Sequence, residues 1–415
     1  MKRRYAATLA ALAAGTLLAA CGGGGPGGGG GKVSDDKVVL GVLTDLSAIY
    51  ADLAGPNSVV AVEMAVADYQ KKYGDKAVAE TVEVVKADHQ NKPEIANTQA
   101  KEMYERRKVD ALFDVPTSSA ALAVQTVAGQ AKKLYFNTGA ATTELAGKTC
   151  NPYTYEWAYD AYMLANGTGT AVTAQGGKTW YTIYPDYAFG QDMQKKFQAA
   201  VTGAGGQITA SDPTPFPSDN YSTFLLKAKG MNPKPQVLGA LQAGGDLANV
   251  AKQYDQFKLK DAGISLAIGL LFDTDIKAIG PDKLAGTMFT TAWFWNLDDE
   301  AQIWADRFKE KTGVRPTFVQ AADYSAATQY LEAVQKAGTD KAEDVSKILN
   351  GMKFNDFFAR NATIRAEDHR VTHDAYLAKV KDPAQASESE DFTELVETIP
   401  ADKAFAPPSP ECSMG

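Results

Sequence analysis

The chain has 415 residues, enough for two domains of ordinary size, and its 45% hydrophobic and 22% charged content is that of a globular protein. Its formal net charge is −8, and loss of Lys2, Arg3 and Arg4 would take it to −11. An acidic body with no later basic stretch argues against nucleic acid as a partner.

Lys2, Arg3 and Arg4 precede an apolar run over 5–20 that is too short to span a bilayer. A basic start, a short apolar stretch and small residues before a cut site describe a secretory signal over 1–20. Leu18-Ala19-Ala20-Cys21 resembles the lipobox of bacterial lipoproteins, which implies lipid on the Cys21 thiol and export to the outer side of a membrane. Residues 22–31 are glycine apart from Pro26, so 21–36 reads as a lipidated cysteine and a flexible tether. No later stretch reaches 18 apolar residues, so the anchor is the only expected membrane contact. With Cys21 lipidated, Cys150 and Cys412 form the one possible intramolecular pair, and an oxidising compartment favours the bridge.

KVVLGVL at 37–43 reads as a buried strand, and apolar positions from Val59 to Tyr73 at 3-4-3-4 spacing make a helix over 55–73. Strands at 80–88, 109–115 and 134–137 alternate with helices at 93–108 and 118–132. The rhythm breaks at Cys150-Asn151-Pro152 and resumes with a helix at 160–174 and strands at 179–184, 207–210, 237–241, 264–270 and 287–292. Helices are expected between them at 190–202, 221–229 and 246–257, and afterwards at 299–311, 317–337 and 342–350. Short strands at 362–365 and 375–380 are expected to close the ordered part. The fold class is therefore α/β with largely parallel sheets, and the two series suggest two similar lobes. Ligands in such sheets sit beyond the carboxyl ends of the strands, which directs attention to the loops after Leu43, Val115, Asn137, Tyr184, Leu241 and Leu270.

Those loops carry no enzyme signature. The first lacks G-x-G-x-x-G, and the chain has no Walker A loop, G-x-S-x-G elbow or H-E-x-x-H. His89 is isolated, and His369 and His373 lie four apart in a segment that reads as loop and strand edge, so no metal is expected. Asp273 and Asp275 are a pair that flanks loops in many proteins. No nucleophile, base, metal or cofactor is assembled, so catalysis is not expected.

Six segments together carry a family resemblance: GVLTDLSAIYADLAGP at 41–56, ADHQNKPEIA at 87–96, DVPTSSAALAV at 114–124, NTGAATTEL at 137–145, YPDYAFGQD at 184–192 and AGGD at 243–246. In order and spacing the chain resembles type I periplasmic binding proteins, in the Leu/Ile/Val-binding branch that serves ABC importers of hydrophobic amino acids. The resemblance implies two Rossmann-like lobes joined by three crossovers that close on a ligand. Carried over, the crossovers fall near 155–160, 292–296 and 357–361. Lobe one is then 37–156 plus 296–358, lobe two 157–292 plus 361–400, and 401–415 a C-terminal tail.

It also implies that Thr117, Ser118 and Ser119, with Gly139, Ala140, Ala141 and Thr142, hold a ligand carboxylate. Hydroxyls and free backbone N–H groups at a helix N-terminus suit an anion. Tyr187 and Phe189 match the family's aromatic lid on the opposite lobe, Tyr50 of the first loop is a further candidate contact, and Gln242 and Asp246 bracket the AGGD turn. Phe272, Trp293 and Tyr324 are expected as walls near the hinge. Two departures bear on the ligand. Ser47-Ala48-Ile49 stands where the family has Ser-Gly-Pro, and Gly269-Leu270 stands where amino-acid binders carry an acid for the ligand's ammonium. Asp273 and Asp275 lie just downstream, out of register. The expected ligand is a small apolar carboxylate such as an aromatic acid, with branched-chain or other hydrophobic amino acids as the alternative. The expected partner is an ABC permease, or a membrane receptor if the protein is a sensor, and the expected state is a monomer.

Overall fold

The computed structural model describes residues 33–414. The expected signal, Cys21 and nearly all of the glycine tether lie outside the described residues. Strand β1 (Val38–Thr44) is buried along its whole length, as a central strand of a parallel sheet covered on both faces must be. It is flanked by β2 (Val82–Asp88) and β3 (Ala111–Asp114), and β4 (Leu134–Asn137) and β5 (Thr154–Glu156) continue the sheet in the order β2-β1-β3-β4-β5, all parallel. Helix Gly55–Tyr73 packs on helix Phe318–Ala337, so residues remote in sequence complete the first lobe. That second helix is fixed at its start by a reciprocal cap: Thr317 N–H donates to Gln320 Oε1 and Gln320 N–H to Thr317 Oγ1. Gly338, in a left-handed conformation, ends it.

The second lobe repeats the plan. Strands β6 (Thr179–Pro185), β7 (Gln207–Thr214), β8 (Val237–Ala240) and β9 (Ser265–Ile268) form a parallel sheet in the order β7-β6-β8-β9. Strand β10 (Met288–Thr291) follows and belongs to an antiparallel sheet with two later strands. A small antiparallel sheet comes first in the chain: β11 (Lys353–Phe354), β12 (Ala362–Ile364) and β13 (Val371–Thr372). Then β14 (Ala375–Val380) pairs with β10 and with β15 (Thr393–Ile399).

Three expectations differ from this arrangement. Order does not stop at 380: β15 and the turn of helix Ala401–Ala404 follow it. Within 361–372, expected in lobe two, Ala362 and Thr363 pair with Phe354 and Lys353, and His369 lies against the first crossover, stacking on Tyr155 at 4.2 Å. The single helix expected over 160–174 is interrupted by a π-helical stretch, Ala165–Gly169. The crossover itself is pinned by a buried charge network. The Arg370 guanidinium is ion-paired with Glu156 and, at 2.9 Å, with Asp160, and it donates to the Tyr159 carbonyl. Cys150 and Cys412 are joined by a disulfide with their Cα atoms 5.5 Å apart, which ties the C-terminal segment to lobe one. Among the described residues no helix is long and apolar enough to cross a membrane.

Candidate ligand-binding cleft

Both parallel sheets have a switch point where neighbouring strands send their connections to opposite faces, between β1 and β3 in lobe one and between β6 and β8 in lobe two. The loops leaving those four strands face one another. Tyr50 and Leu53 come from the loop after β1, Pro116 from that after β3, and Ala141 from that after β4. Tyr187 and Phe189 come from the β6 end, Ala243 from the β8 end, and Leu270 and Phe272 from the β9 end. With Tyr159 of the first crossover they line a small, nearly filled pocket of about 10 Å³. Roomier cavities exist among the described residues, but one lies at the amino ends of lobe-two strands and another beside the C-terminal segment. A third, walled by Asp52, Asp273, Arg315 and Glu390, adjoins the β1 and β9 loops but is lined by charged residues and lacks the β3, β4, β6 and β8 loops. Convergence of six strand ends from both lobes, not volume, selects the small one.

Aromatic rings dominate it. Phe272 stacks on Phe318 at 4.7 Å, and Tyr159 meets Phe318 edge-on at 4.8 Å. The Tyr50 and Tyr187 hydroxyls share a hydrogen bond of 2.6 Å across the lobes. Burial pushes the pKa of both phenols upward, so each stays neutral and able to donate. No carboxylate lines this cavity.

The expected anion cradle is only partly free. Thr117 stands before helix Ser118–Ala131 with its hydroxyl given to Asn91 Oδ1 instead of capping the helix. Ser118 is buried with an Oγ that has no partner, and Ser119, half-buried, follows in the first turn. Gly139 has no room for a Cβ: one would stand 2.6 Å from Asp114 Oδ1 and 2.7 Å from Pro116 Cα. Its carbonyl accepts the Tyr159 hydroxyl at 2.7 Å. The Ala140 N–H donates to Asn137 Oδ1, so it is committed to its own turn and not open to an anion. Ala141 lines the cavity, while the Thr142 hydroxyl is buried and accepts the Glu144 N–H.

On lobe two, Gln242 donates through Nε2 to Thr214 Oγ1, whose own proton goes to the Tyr184 carbonyl. That fixes the amide orientation and leaves Gln242 Oε1 buried without a donor. Asp246 is turned away from the cavity and accepts the Ser218 N–H at 3.1 Å. Burial pushes its pKa up to about 6, against that hydrogen bond. Trp293 and Tyr324 do not line this cavity, though Trp293 shares a second small pocket with Phe272 and Phe318. Trp293 donates to the Phe357 carbonyl and packs against Trp304, and the Tyr324 hydroxyl donates to Asp68. Leu53, Pro116, Tyr159, Ala243 and Phe318 were not singled out in the sequence, and Leu270 only as a position lacking the family's acid. For all but Tyr159 and Phe318 the strand-end rule was the available signal. His369 and His373 do not converge: both ring nitrogens of His373 engage carbonyls, of Asp374 and Ala158. Among the described residues no group of three His, Cys, Asp or Glu is arranged to hold a metal.

Two α/β lobes with an aromatic, acid-free cleft between their strand ends define a protein that encloses a small molecule. The family model for periplasmic binding proteins matches residues 37–387, and the chain belongs to that family of solute-binding proteins. A periplasmic binding protein from Burkholderia mallei shares 40% identity, with a TM-score of 0.85 over 89% of this chain and 96% of that one. A branched-chain amino acid ABC transporter periplasmic ligand-binding protein from Burkholderia xenovorans LB400 shares 36%, with a TM-score of 0.79 over 89% and 97%. A solute-binding protein of an ABC transporter from Rhodopseudomonas palustris BisB5, in complex with 3,4-dihydroxybenzoic acid, shares the fold at 21% identity, with a TM-score of 0.77 over 88% and 98%. The two-lobed type I fold and the Leu/Ile/Val-type branch expected from the sequence agree with these likenesses.

Proposed function

We propose that the protein is the extracytoplasmic receptor of an ABC importer, that it captures a small apolar carboxylate such as an aromatic acid, and that it hands this ligand to a permease. The observation that carries the ligand class is the cavity wall, aromatic and aliphatic throughout, with tyrosine hydroxyls as its polar handles and no acid. A ligand ammonium there would be buried without a counter-charge, which is costly. A carboxylate has a place at the start of helix Ser118–Ala131, where no side chain caps the backbone and the Ser118 hydroxyl has no partner. Ligand would enter the open form by displacing the contact between Tyr50 and Tyr187 and would favour closure by touching both lobes. The dihydroxybenzoic acid in a neighbour shows that this fold accommodates such a ring. Cys21 carries the lipid anchor in this reading, and Gly22 to Gly31 let the body reach a permease in the same membrane.

A second reading, capture of leucine or a similar amino acid, is favoured by the 36% identity to the branched-chain amino acid binder. Isothermal titration calorimetry of the purified protein with benzoate, 4-hydroxybenzoate, leucine and phenylalanine separates the two. The proposal expects heat from an aromatic acid and an affinity about tenfold weaker in Ser118→Ala, the cost of one charge-assisted hydrogen bond. Tight leucine binding with no heat from either acid would replace it with the second reading.

A further inference from the structure

The segment after β7 is not among the strand-end loops expected from the sequence, which ends that strand four residues early at 210. It carries Phe216, which is half-buried and stacks on Tyr187 with ring centroids 4.3 Å apart and planes 25° from parallel. The same ring lies 6.0 Å from that of Tyr50. Phe216 therefore backs the pair of hydroxyls that joins the lobes across the cavity.

The loop is held from beneath by one face of helix Gly244–Gln256. Asp246 accepts the Ser218 N–H, Asn249 Nδ2 donates to the Ser218 carbonyl at 3.2 Å, and Gln253 holds two further backbone groups. Its Oε1 accepts the Tyr221 N–H and its Nε2 donates to the Asp219 carbonyl, each at 2.8 Å. Positions 246, 249 and 253 are spaced three and four apart, so they share a helix face. The turn that opens this helix touches lobe one: a Cβ on Gly244 would stand 3.0 Å from the Ile49 carbonyl oxygen and 3.2 Å from the Tyr50 ring. Turn, loop and lid tyrosines are one packed unit.

We propose that the loop 215–221 is a lid on the ligand site, in which Phe216 holds Tyr187 over the ligand and sets its rate of release, and that Asp246 is the positioning residue that pins the lid. This rests on the ligand cleft assigned above, but not on which ligand it takes. A backing ring lowers the freedom of Tyr187 to swing out, and release requires that swing. Asp246, matched in the sequence to a ligand contact, acts through the backbone at Ser218.

The test is stopped-flow fluorescence of the intact protein with benzoate and with leucine, giving association and dissociation rates separately. Phe216→Ala should speed dissociation of the ligand that binds by about tenfold with association within about twofold, since changes within one binding site fall mainly on release. Phe216→Tyr, which keeps the ring, should restore the slow rate. Asp246→Ala should also speed dissociation, and Asp246→Asn, which keeps a carbonyl acceptor for Ser218, should recover most of the loss. Unchanged dissociation in Phe216→Ala, or an Asp246→Asn as fast as Asp246→Ala, overturns the corresponding half of the proposal. If the wild-type protein binds neither compound, the lid is judged apart from the ligand readings, on the ligand-free protein by small-angle X-ray scattering. A larger radius of gyration in Phe216→Ala than in wild type then supports it, and equal radii overturn it.

Discussion

His369 shows how one side chain can couple stability to pH. Its ring lies parallel to that of Tyr155, only 3° off, and its Nδ1 is buried without a partner. Burial drives its pKa down from 6.5 to about 4. Between those values the unfolded chain takes up a proton that the native one refuses, so native stability is lost as pH falls from 6.5 toward 4. The full loss is on the order of 3 kcal/mol. His369→Asn keeps a residue that tolerates the left-handed backbone here, with φ at 56°. It removes the stack, costing about 1 kcal/mol at pH 7. Urea unfolding should find the variant less stable than wild type at pH 7 and more stable at pH 4. Parallel curves across that range would mean that His369 does not titrate as described. In the sequence this residue stood only as half of a histidine pair. Its role was illegible because Tyr155 lies more than two hundred positions away, whereas Tyr187 and Phe189 were legible because a strand end announces its own loop.

Elements were readable where local pattern decides them and not where distant contact does. β1 is an apolar run and β6 a run of aromatic and β-branched residues, and both appear at the expected places. β7 runs on through Ser211, Asp212 and Pro213 to Thr214 because parallel pairing with β6 holds an edge strand whose own composition is poor for one. The C-terminal segment owes its order to similar outside support. Phe405 is packed by Arg370 and His373, and Cys412 is tied to Cys150, 262 residues earlier. A bridge closing so long a loop restricts the unfolded chain, and in the loop-entropy model it contributes about 5–6 kcal/mol, above the range usual in practice. Cys412→Ser should lower the unfolding free energy by a few kcal/mol, about 2–4. Unreduced, denatured wild type should show no thiol reactive toward Ellman's reagent from this pair, and two reactive thiols from it would remove the bridge.

At the scale of the whole molecule, the two-lobed plan follows from the repeated strand-helix alternation, but what holds the lobes together does not. Charges far apart in sequence meet across the gap. The connection between β14 and β15 reaches from lobe two onto lobe one, where Arg315 pairs with Glu388 at 2.6 Å and Lys309 with Glu390 at 3.1 Å. Trp295 and Asn296 of the second crossover grip the same segment, donating to the Glu390 carbonyl and to Asp391. Arg315 is set for this role: its guanidinium lies 3.8 Å from the Trp295 ring, and its other amino group is held by Asp306. Its side chain is 8% exposed while that of Glu388 is 38% exposed, so the pair is neither fully screened nor fully desolvated. Because the pair bridges lobes, its energy favours the closed form, and affinity for any ligand held between the lobes carries that bias. Arg315→Gln should therefore weaken binding of the ligand found by calorimetry about threefold to tenfold, the equivalent of about 1 kcal/mol. Raising salt from 0.05 to 0.5 M should weaken wild-type binding in the same direction, since added ions screen the partly exposed pairs. The variant has less to lose, so its affinity should depend less steeply on salt. Equal salt slopes in the two proteins would mean that the clasp does not bear on closure.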